Sequence, residues 1–208
     1  MSQTYKTEGI VLKASDYRDA DRLYKIYTKD FGKIIVRAQG VKKTKSKMAG
    51  HVEPFCLSDF FIAKTKTIDK LAGAKQKECF YNLRKNYEKI SVANYLVEIY
   101  DSLIGHNEKD EVLFSLLKDN LVRLNKNEIN WLIIKASILK ILKGLGYEPD
   151  LSDKSDLNKV LKFLIYEDFN KISRLKISDD LWKDINRKVD IFLKEQLDYD
   201  LQTENFLI

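Results

Sequence analysis

The sequence is poor in the residues that break regular structure or hold metals. It has only 8 Gly and 2 Pro in 208 residues, which excludes collagen-like and low-complexity chains. Two Cys and two His leave little material for a zinc site, which usually takes four ligands. No apolar run approaches the roughly 18 residues of a membrane span, and the N-terminus lacks the basic-then-apolar layout of a signal peptide. We therefore expect a cytoplasmic protein without membrane contact, with Cys56 and Cys79 as reduced core residues.

Enzyme signatures are also missing. The chain contains neither G-x-G-x-x-G nor G-x-S-x-G, and the glycine-lysine pair at 32–33 lacks the upstream glycine of a phosphate-binding loop. His51 and His106 are isolated from other metal-ligating residues. Asp16, Asp19 and Asp21 are close enough in sequence to bind a nuclease metal, although a turn before a strand explains them more simply. The sequence predicts a protein without catalytic residues, cofactor or small-molecule substrate.

The positive charge is concentrated at one end of the chain. Residues 1–80 carry 17 Lys and Arg against 9 Asp and Glu, a net charge of +8. Residues 81–208 carry 20 against 22, a net charge of −2. This asymmetry favours a polyanion-binding part joined to a more neutral scaffold, and the alternative is a basic surface that only aids solubility.

Hydrophobic periodicity changes at nearly the same point. Five short segments rich in β-branched and aromatic residues precede residue 80, at 7–12, 23–28, 33–38, 57–64 and 68–75. Helical periodicity follows at 87–103, 111–124, 128–145, 156–166 and 179–197, with Asn127 and Ser178 as predicted N-caps. The sequence thus predicts an α+β protein, with a small β barrel or sandwich at residues 1–80 and an all-helical domain at residues 81–208.

Residues 40–47, here called the lysine loop, combine positive charge with hydroxyl groups. Lys42, Lys43, Lys45 and Lys47 are interleaved with Thr44 and Ser46, and no acidic residue lies among them. Ammonium and hydroxyl groups suit phosphate oxygens, so we predict that the loop contributes salt-sensitive, sequence-independent binding to nucleic acid. The alternative is an exposed loop without a ligand.

Strand alternation adds four candidates on the neighbouring strands. If Ile26 and Val36 point into the barrel, the side chains that project outward include those of Lys25, Tyr27, Lys33 and Arg37. Cations around an aromatic ring are typical of single-strand binders. The alternative is that the tyrosine packs in the barrel, and an error of one residue in register reverses the assignment.

The segment 128–145 is apolar around most of its circumference and is interrupted by Lys135, Lys140 and Lys143. Such lysines commonly extend from the edge of a core into solvent. The alternative is that they border an apolar groove that binds an acidic, hydrophobic peptide.

Several ordered fragments together resemble the bacterial DNA repair and recombination mediator family RecO. The fragments are EGIVL at 8–12, DYRDADRL at 16–23, GK at 32–33, AQG at 38–40, KS at 45–46, Gly50, EPF at 53–55, Leu71, Ala74 and ILKGLGY at 141–147. The resemblance implies a five-stranded OB-fold followed by a helical domain. It also implies binding to single- and double-stranded DNA, strand annealing, and assistance to RecA loading.

The resemblance further implies two partners, RecR and the acidic C-terminal tail of single-stranded DNA-binding protein. It places Arg37, Lys42, Lys43, Lys45, Ser46 and Lys47 in the family's DNA-contact region, and Lys135 and Lys140 on a tail-docking helix. Many members carry a four-cysteine zinc module after the Leu-Gly-Tyr ending. No cysteine follows Cys79 here, so we predict that this chain has no structural zinc.

The leading hypothesis is therefore a non-enzymatic, DNA-binding recombination mediator. The alternative is a protein-recruiting adaptor whose basic surface binds an acidic peptide tail, with only incidental contact to DNA.

Overall fold

The computed structural model describes residues 4–206; the first three residues of the N-terminal segment considered above lie outside it. Five strands come first, and they are β1 (Thr4–Tyr17), β2 (Asp21–Thr28), β3 (Gly32–Ala38), β4 (Leu57–Ala63) and β5 (Asp69–Glu78). Seven helices follow in the described chain, and they are α1 (Tyr81–Arg84), α2 (Tyr87–Leu103), α3 (Glu111–Lys126), α4 (Trp131–Gly144), α5 (Asp156–Tyr166), α6 (Phe169–Ile172) and α7 (Asp179–Lys194). Short 3-10 turns occur at Ala49–His51 and Gln202–Phe206. The predicted fold class, strands followed by helices, is confirmed.

The strands close into a barrel in the order β1-β2-β3-β5-β4, with β4 returning to β1. All neighbours are antiparallel except β3 and β5, which is the arrangement of the predicted OB-fold. Alternation sends Ile26 and Val36 into a core where both are fully buried, as predicted. Gly9 lies where β1 pairs with β2 and β4 at once, and a Cβ there would approach Ile26 Cγ2 to 2.7 Å.

The chain forms two compact units, residues 1–126 and 127–208. The first unit contains the barrel together with α1, α2 and α3, because those helices pack beside it. Strands give way to helices between Glu78 and Tyr81, close to the predicted change at residue 80. The domain boundary itself stays a prediction.

The second unit is built around α4, which buries an almost continuous apolar stretch against α5, α6 and α7. Its N-cap is Asn130, whose side chain accepts a hydrogen bond from the Ile133 amide at 3.3 Å, so the predicted cap at Asn127 is wrong. The predicted cap of α7 is correct, since Ser178 Oγ accepts from the Leu181 amide.

The expectation of two reduced cysteines is wrong for this structure. Cys56 and Cys79 form a disulfide, and both are buried. The cause is the register of β4 against β5: Leu57 pairs with Glu78, so the residues just outside that pair face each other. Within the described part of the chain, no helix has the length and apolar content needed to cross a membrane.

Candidate nucleic-acid interface

The lysine loop, the β1–β2 turn and the end of β3 come together at one end of the barrel. Arg37 on β3 pairs with Leu23 on β2, beside the turn that joins β1 to β2. The Lys42 amide donates to the Ala20 carbonyl at 3.0 Å, which attaches the start of the loop to that turn. Val41 is 4% exposed and belongs to the barrel core. The loop is therefore held at a fixed place on the barrel although most of its side chains are exposed.

Two guanidinium groups lie close to one aromatic ring at this end. The Cζ atoms of Arg18 and Arg37 each lie 5.4 Å from the centre of the Tyr17 ring. Tyr17 is half-buried and Arg18 is exposed, so part of this group faces solvent. Stacking planes and cations at one place are what single-stranded nucleic acid needs from a protein surface. Sequence reasoning sought this combination at Tyr27 and missed Tyr17, although the adjacent Tyr17-Arg18 pair was a usable signal.

Two carboxylates hold the surrounding cations in position. Asp16 binds Lys42 Nζ at 2.9 Å and Arg22 Nε at 3.0 Å, and these hydrogen bonds lower the pKa of the carboxyl. Asp21 accepts from the Gly40 amide and from Arg37 Nε, both at 2.7 Å, and these bonds likewise lower its pKa. Both groups are therefore ionised at neutral pH, and their oxygens face cations of the protein itself.

The nuclease alternative gains no support from this arrangement. Within the described residues, no group of three or more His, Cys, Asp or Glu side chains is placed to hold a metal ion. Asp16 and Asp21 instead orient Arg22, Arg37 and Lys42.

The rest of the lysine loop points into solvent. Lys43, Lys45 and Lys47 are exposed and form no ion pair with any described residue. Ser46 is half-buried, and its amide donates to the Lys43 carbonyl at 2.8 Å, which closes a turn. Three ammonium groups are thus available to an anion without breaking an existing contact.

Tyr27 does not project from the surface as predicted. It is fully buried, with its ring centre 5.7 Å from that of Tyr100 on α2 and 6.0 Å from that of Phe114 on α3. Its hydroxyl donates to the Asp110 carbonyl at 3.3 Å, and burial raises its pKa. The predicted strand register is right, but α2 and α3 cover this outer face of the barrel, so the ring has no face free for a base.

Lys25 and Lys33 are committed to the same helical cover. Lys25 Nζ lies 2.7 Å from Asp101 Oδ2 on α2, and Lys33 Nζ lies 3.3 Å from Asp101 Oδ1. Lys33 is only 5% exposed, so its predicted outward projection into solvent is wrong. Burial raises the pKa of Asp101, but the hydrogen bond and charge of Lys25 and the charge of Lys33 outweigh it and lower the pKa overall.

The β4–β5 hairpin extends the cationic surface in a way that sequence reasoning missed. Across the parallel pair of β3 and β5, Arg37 stands beside Lys70, whose side chain is exposed. The hairpin also carries exposed Lys64 and Lys66, and Lys64 Nζ lies 5.8 Å from the centre of the Tyr5 ring. The Lys-Thr-Lys-Thr run at 64–67 resembles the lysine loop in composition and was the available signal.

The three lysines of α4 mainly serve internal contacts of the second unit. Lys135 is 5% exposed and binds Asp190 of α7 at 2.5 Å, which contradicts an open groove at that point. Lys140 donates to the carbonyls of Ile165 and Glu167 at 2.8 and 2.7 Å, and burial lowers its pKa. Lys143 is the most exposed of the three, with its ammonium 3.6 Å from the centre of the Tyr166 ring.

Together the fold and this surface define the class: an OB-fold protein with a cationic, aromatic-bearing end on its barrel. Two family models match the chain, Recombination protein O N terminal at residues 1–80 and Recombination protein O C terminal at residues 84–159. The chain belongs to the recombination protein O family, RecO, whose role is in DNA repair and recombination.

Relatives named DNA repair protein RecO support this assignment. The protein from Alkaliphilus metalliredigens is 36% identical over 148 residues, which cover 71% of this chain and 60% of that protein. The protein from Clostridium perfringens is 34% identical over 140 residues, which cover 67% of this chain and 57% of that protein. The match to the Desulforamulus reducens protein covers 98% of this chain and 93% of that protein, at 26% identity.

Proposed function

We propose that this protein is a DNA-binding recombination mediator that holds single-stranded DNA on the exposed end of its barrel. The observation that carries the proposal is the Tyr17 ring close to Arg18 and Arg37, next to the exposed lysine loop. Membership of a DNA repair and recombination family supports the same role.

The proposed chemistry is non-covalent. Lys43, Lys45, Lys47 and the nearby arginines neutralise phosphates, and Tyr17 supplies a surface on which a base stacks. None of these groups selects a particular base, so the surface accepts strands of any sequence. Screening of two backbones at one cationic surface would favour annealing of complementary strands, and double-stranded DNA binds through the same phosphate contacts.

The partners in this proposal follow from the family resemblance. We infer that the protein acts with RecR, engages the acidic tail of single-stranded DNA-binding protein, and assists RecA loading. The ammonium groups of Lys135 and Lys140 are held inside the second unit, so an acidic tail meets Lys143 more readily than the other two. For the same reason the adaptor alternative has less support than DNA binding.

The test is fluorescence anisotropy with a labelled single-stranded oligonucleotide at several salt concentrations. The informative variant combines Lys43→Glu, Lys45→Glu and Lys47→Glu, because these lysines make no ion pair with a described residue. Affinity falls with salt, and each lost phosphate contact makes the plot of log affinity against log salt less steep by about 0.7. The loss of three contacts should therefore flatten the plot by about 2.

The matched control changes three exposed lysines of the second unit, with Lys154→Glu, Lys162→Glu and Lys176→Glu. It alters the net charge of the protein equally and should leave the slope nearly unchanged. Equal effects of the two triple variants would refute the assignment to the lysine loop. Absence of any binding at low salt would refute DNA binding altogether and favour the adaptor.

A further inference from the structure

The second compact unit contains an open groove that the proposed DNA surface does not use. The groove has a cavity volume of about 630 Å³ and lies between the segment after α4 and the outer side of α7. Its lining includes the apolar side chains of Pro149, Leu157, Ile191 and Phe192. Ile191 is 52% exposed and lies on the side of α7 opposite to the buried Ile185, Val189 and Leu193, so together with Pro149, Leu157 and Phe192 it gives the groove an apolar patch.

The rim of this groove is strongly acidic. Glu148, Asp150, Asp153, Asp184 and Glu195 line it, against only Arg187 and Lys188, so the lining carries a net charge of −3. Asp150 accepts from the Ser152 amide at 2.9 Å and Asp153 from the Ser155 amide at 2.7 Å. These hydrogen bonds fix the two carboxylates at the mouth and lower the pKa of each, so both are charged at neutral pH.

The two cations of the groove offset only part of this negative charge. Lys188 Nζ donates to Asn158 Oδ1 at 2.8 Å and to the Asp150 carbonyl at 3.4 Å, and its charge helps to lower the pKa of Asp150 and of Asp153. Arg187 Nη2 lies 3.5 Å from Asp184 Oδ1. Glu195 has no cationic partner among the described residues. Lys143 lies 3.1 Å from Glu148 and offsets a third carboxylate, but five carboxylates still outnumber these three cations, so the groove keeps a net negative charge to which Glu195 contributes. This sign repels nucleic acid and attracts cations.

We propose that this groove is a docking site for a basic amphipathic helix of a partner protein. The apolar side of such a helix would cover Leu157, Ile191 and Phe192, while its Lys and Arg side chains would reach the acidic rim. Binding of an amphipathic helix along an apolar groove is a common mode of protein recognition. The charge complementarity selects a basic partner over an acidic one and over DNA.

The experiment uses the full chain and two synthetic probes. One is a fluorescein-labelled amphipathic peptide of Leu and Lys, and the other replaces every Lys by Glu. We expect the basic peptide to bind and the acidic peptide to bind far more weakly. Equal binding of the two peptides would overturn the proposal.

Substitutions in the groove test whether the basic peptide binds there. Asp150→Asn with Glu195→Gln removes two rim charges and keeps the oxygen that accepts from Ser152, so the loop geometry is preserved. We expect about tenfold weaker binding of the basic peptide. Ile191→Ser should also weaken binding, because it removes the most exposed apolar contact.

The control, Asp198→Asn with Asp200→Asn, changes the charge equally at exposed positions that do not line the groove. If it weakens binding as much as the groove variants, the attraction is general and the proposal fails. The proposal would also fail if the unliganded protein dimerised and the groove variants abolished the dimer, because a second copy of the chain would then fill the groove.

Discussion

Tyr17 shows how much the role of one side chain depends on its neighbours. The chain has 11 tyrosines, but the ring of Tyr17 is the one that the structure places close to both Arg18 and Arg37 beside the lysine loop. Tyr27 also has basic neighbours, Lys25 and Lys33, but α2 and α3 cover its ring. Exposure leaves Tyr17 available for the proposed stacking role, whereas Tyr27 belongs to the core.

We therefore expect Tyr17→Ala to lose about 1–3 kcal/mol of single-strand binding, or about 5- to 150-fold in affinity. Tyr17→Phe should bind almost as the parent does, because the ring is retained. Tyr27→Phe serves as the control: it removes a buried hydroxyl and should lower stability without changing affinity. Anisotropy titrations measure all three, and full affinity in Tyr17→Ala would refute the stacking role.

Asp101 is the residue on which two cations of the barrel converge. Its carboxylate is 16% exposed and forms ion pairs with both Lys25 and Lys33 where α2 covers the barrel. Asp101→Asn leaves the buried ammonium of Lys33 without a counter-ion, and we expect a loss of about 3 kcal/mol in the free energy of unfolding at pH 7. Urea unfolding measures this loss.

The ion pairs of Asp101 with Lys25 and Lys33 also predict that the free energy of unfolding depends on pH. The folded pKa of Asp101 is lowered, so its stabilisation is fully present above the ordinary carboxyl pKa of about 4 and is lost as pH falls through the folded value. The difference in stability between the parent and Asp101→Asn should therefore shrink as the pH is lowered below about 4. A difference that stays constant on acidification would contradict the role of the carboxylate charge.

At the scale of elements, long periodic segments were easier to locate than their ends. The predicted bounds of α2 and α5 agree with the structure, while α4 begins three residues later than predicted, at Trp131. Both Asn127 and Asn130 have a residue type that caps helices, and only packing of the first turn distinguishes them. The four-residue helices α1 and α6 were missed, since one turn is too short to show periodicity.

The position of this cap gives a direct test. Asn130→Ala removes the acceptor for the Ile133 amide and should cost about 1 kcal/mol of stability. Asn130→Asp keeps an oxygen at the same place and should restore most of it. Chemical denaturation compares the two, and equal stabilities would show that the side chain does not act as the cap.

At the scale of the whole molecule, positive and negative charges are concentrated on different surfaces. The barrel sequence carries the positive excess, and the lysine loop and the β4–β5 hairpin are two places where its exposed cations cluster. The second unit presents a groove with a net negative lining. Electrostatic attraction should therefore direct nucleic acid to the barrel alone.

Hydrogen–deuterium exchange on the full chain checks this expectation. Saturation with single-stranded DNA should slow exchange in residues 16–22 and 37–47 and leave the groove segments 148–157 and 184–195 unchanged. The backbone around Tyr27 and Lys33 should also stay unchanged, because α2 and α3 already cover it. Protection confined to the second unit would place the DNA elsewhere.

The sequence by itself determined the order of strands and helices, the uneven charge and the family. These properties depend on residue type and local spacing, which a single chain displays directly. Only the tertiary structure decided which outward faces meet solvent. Packing of α2 and α3 against the barrel buries Tyr27 and Lys33, and strand pairing joins Cys56 to Cys79. The pairing of the strands also brings Tyr17, Arg37 and Lys70 to one end of the barrel. Such contacts join residues distant in sequence, so no local pattern encodes them.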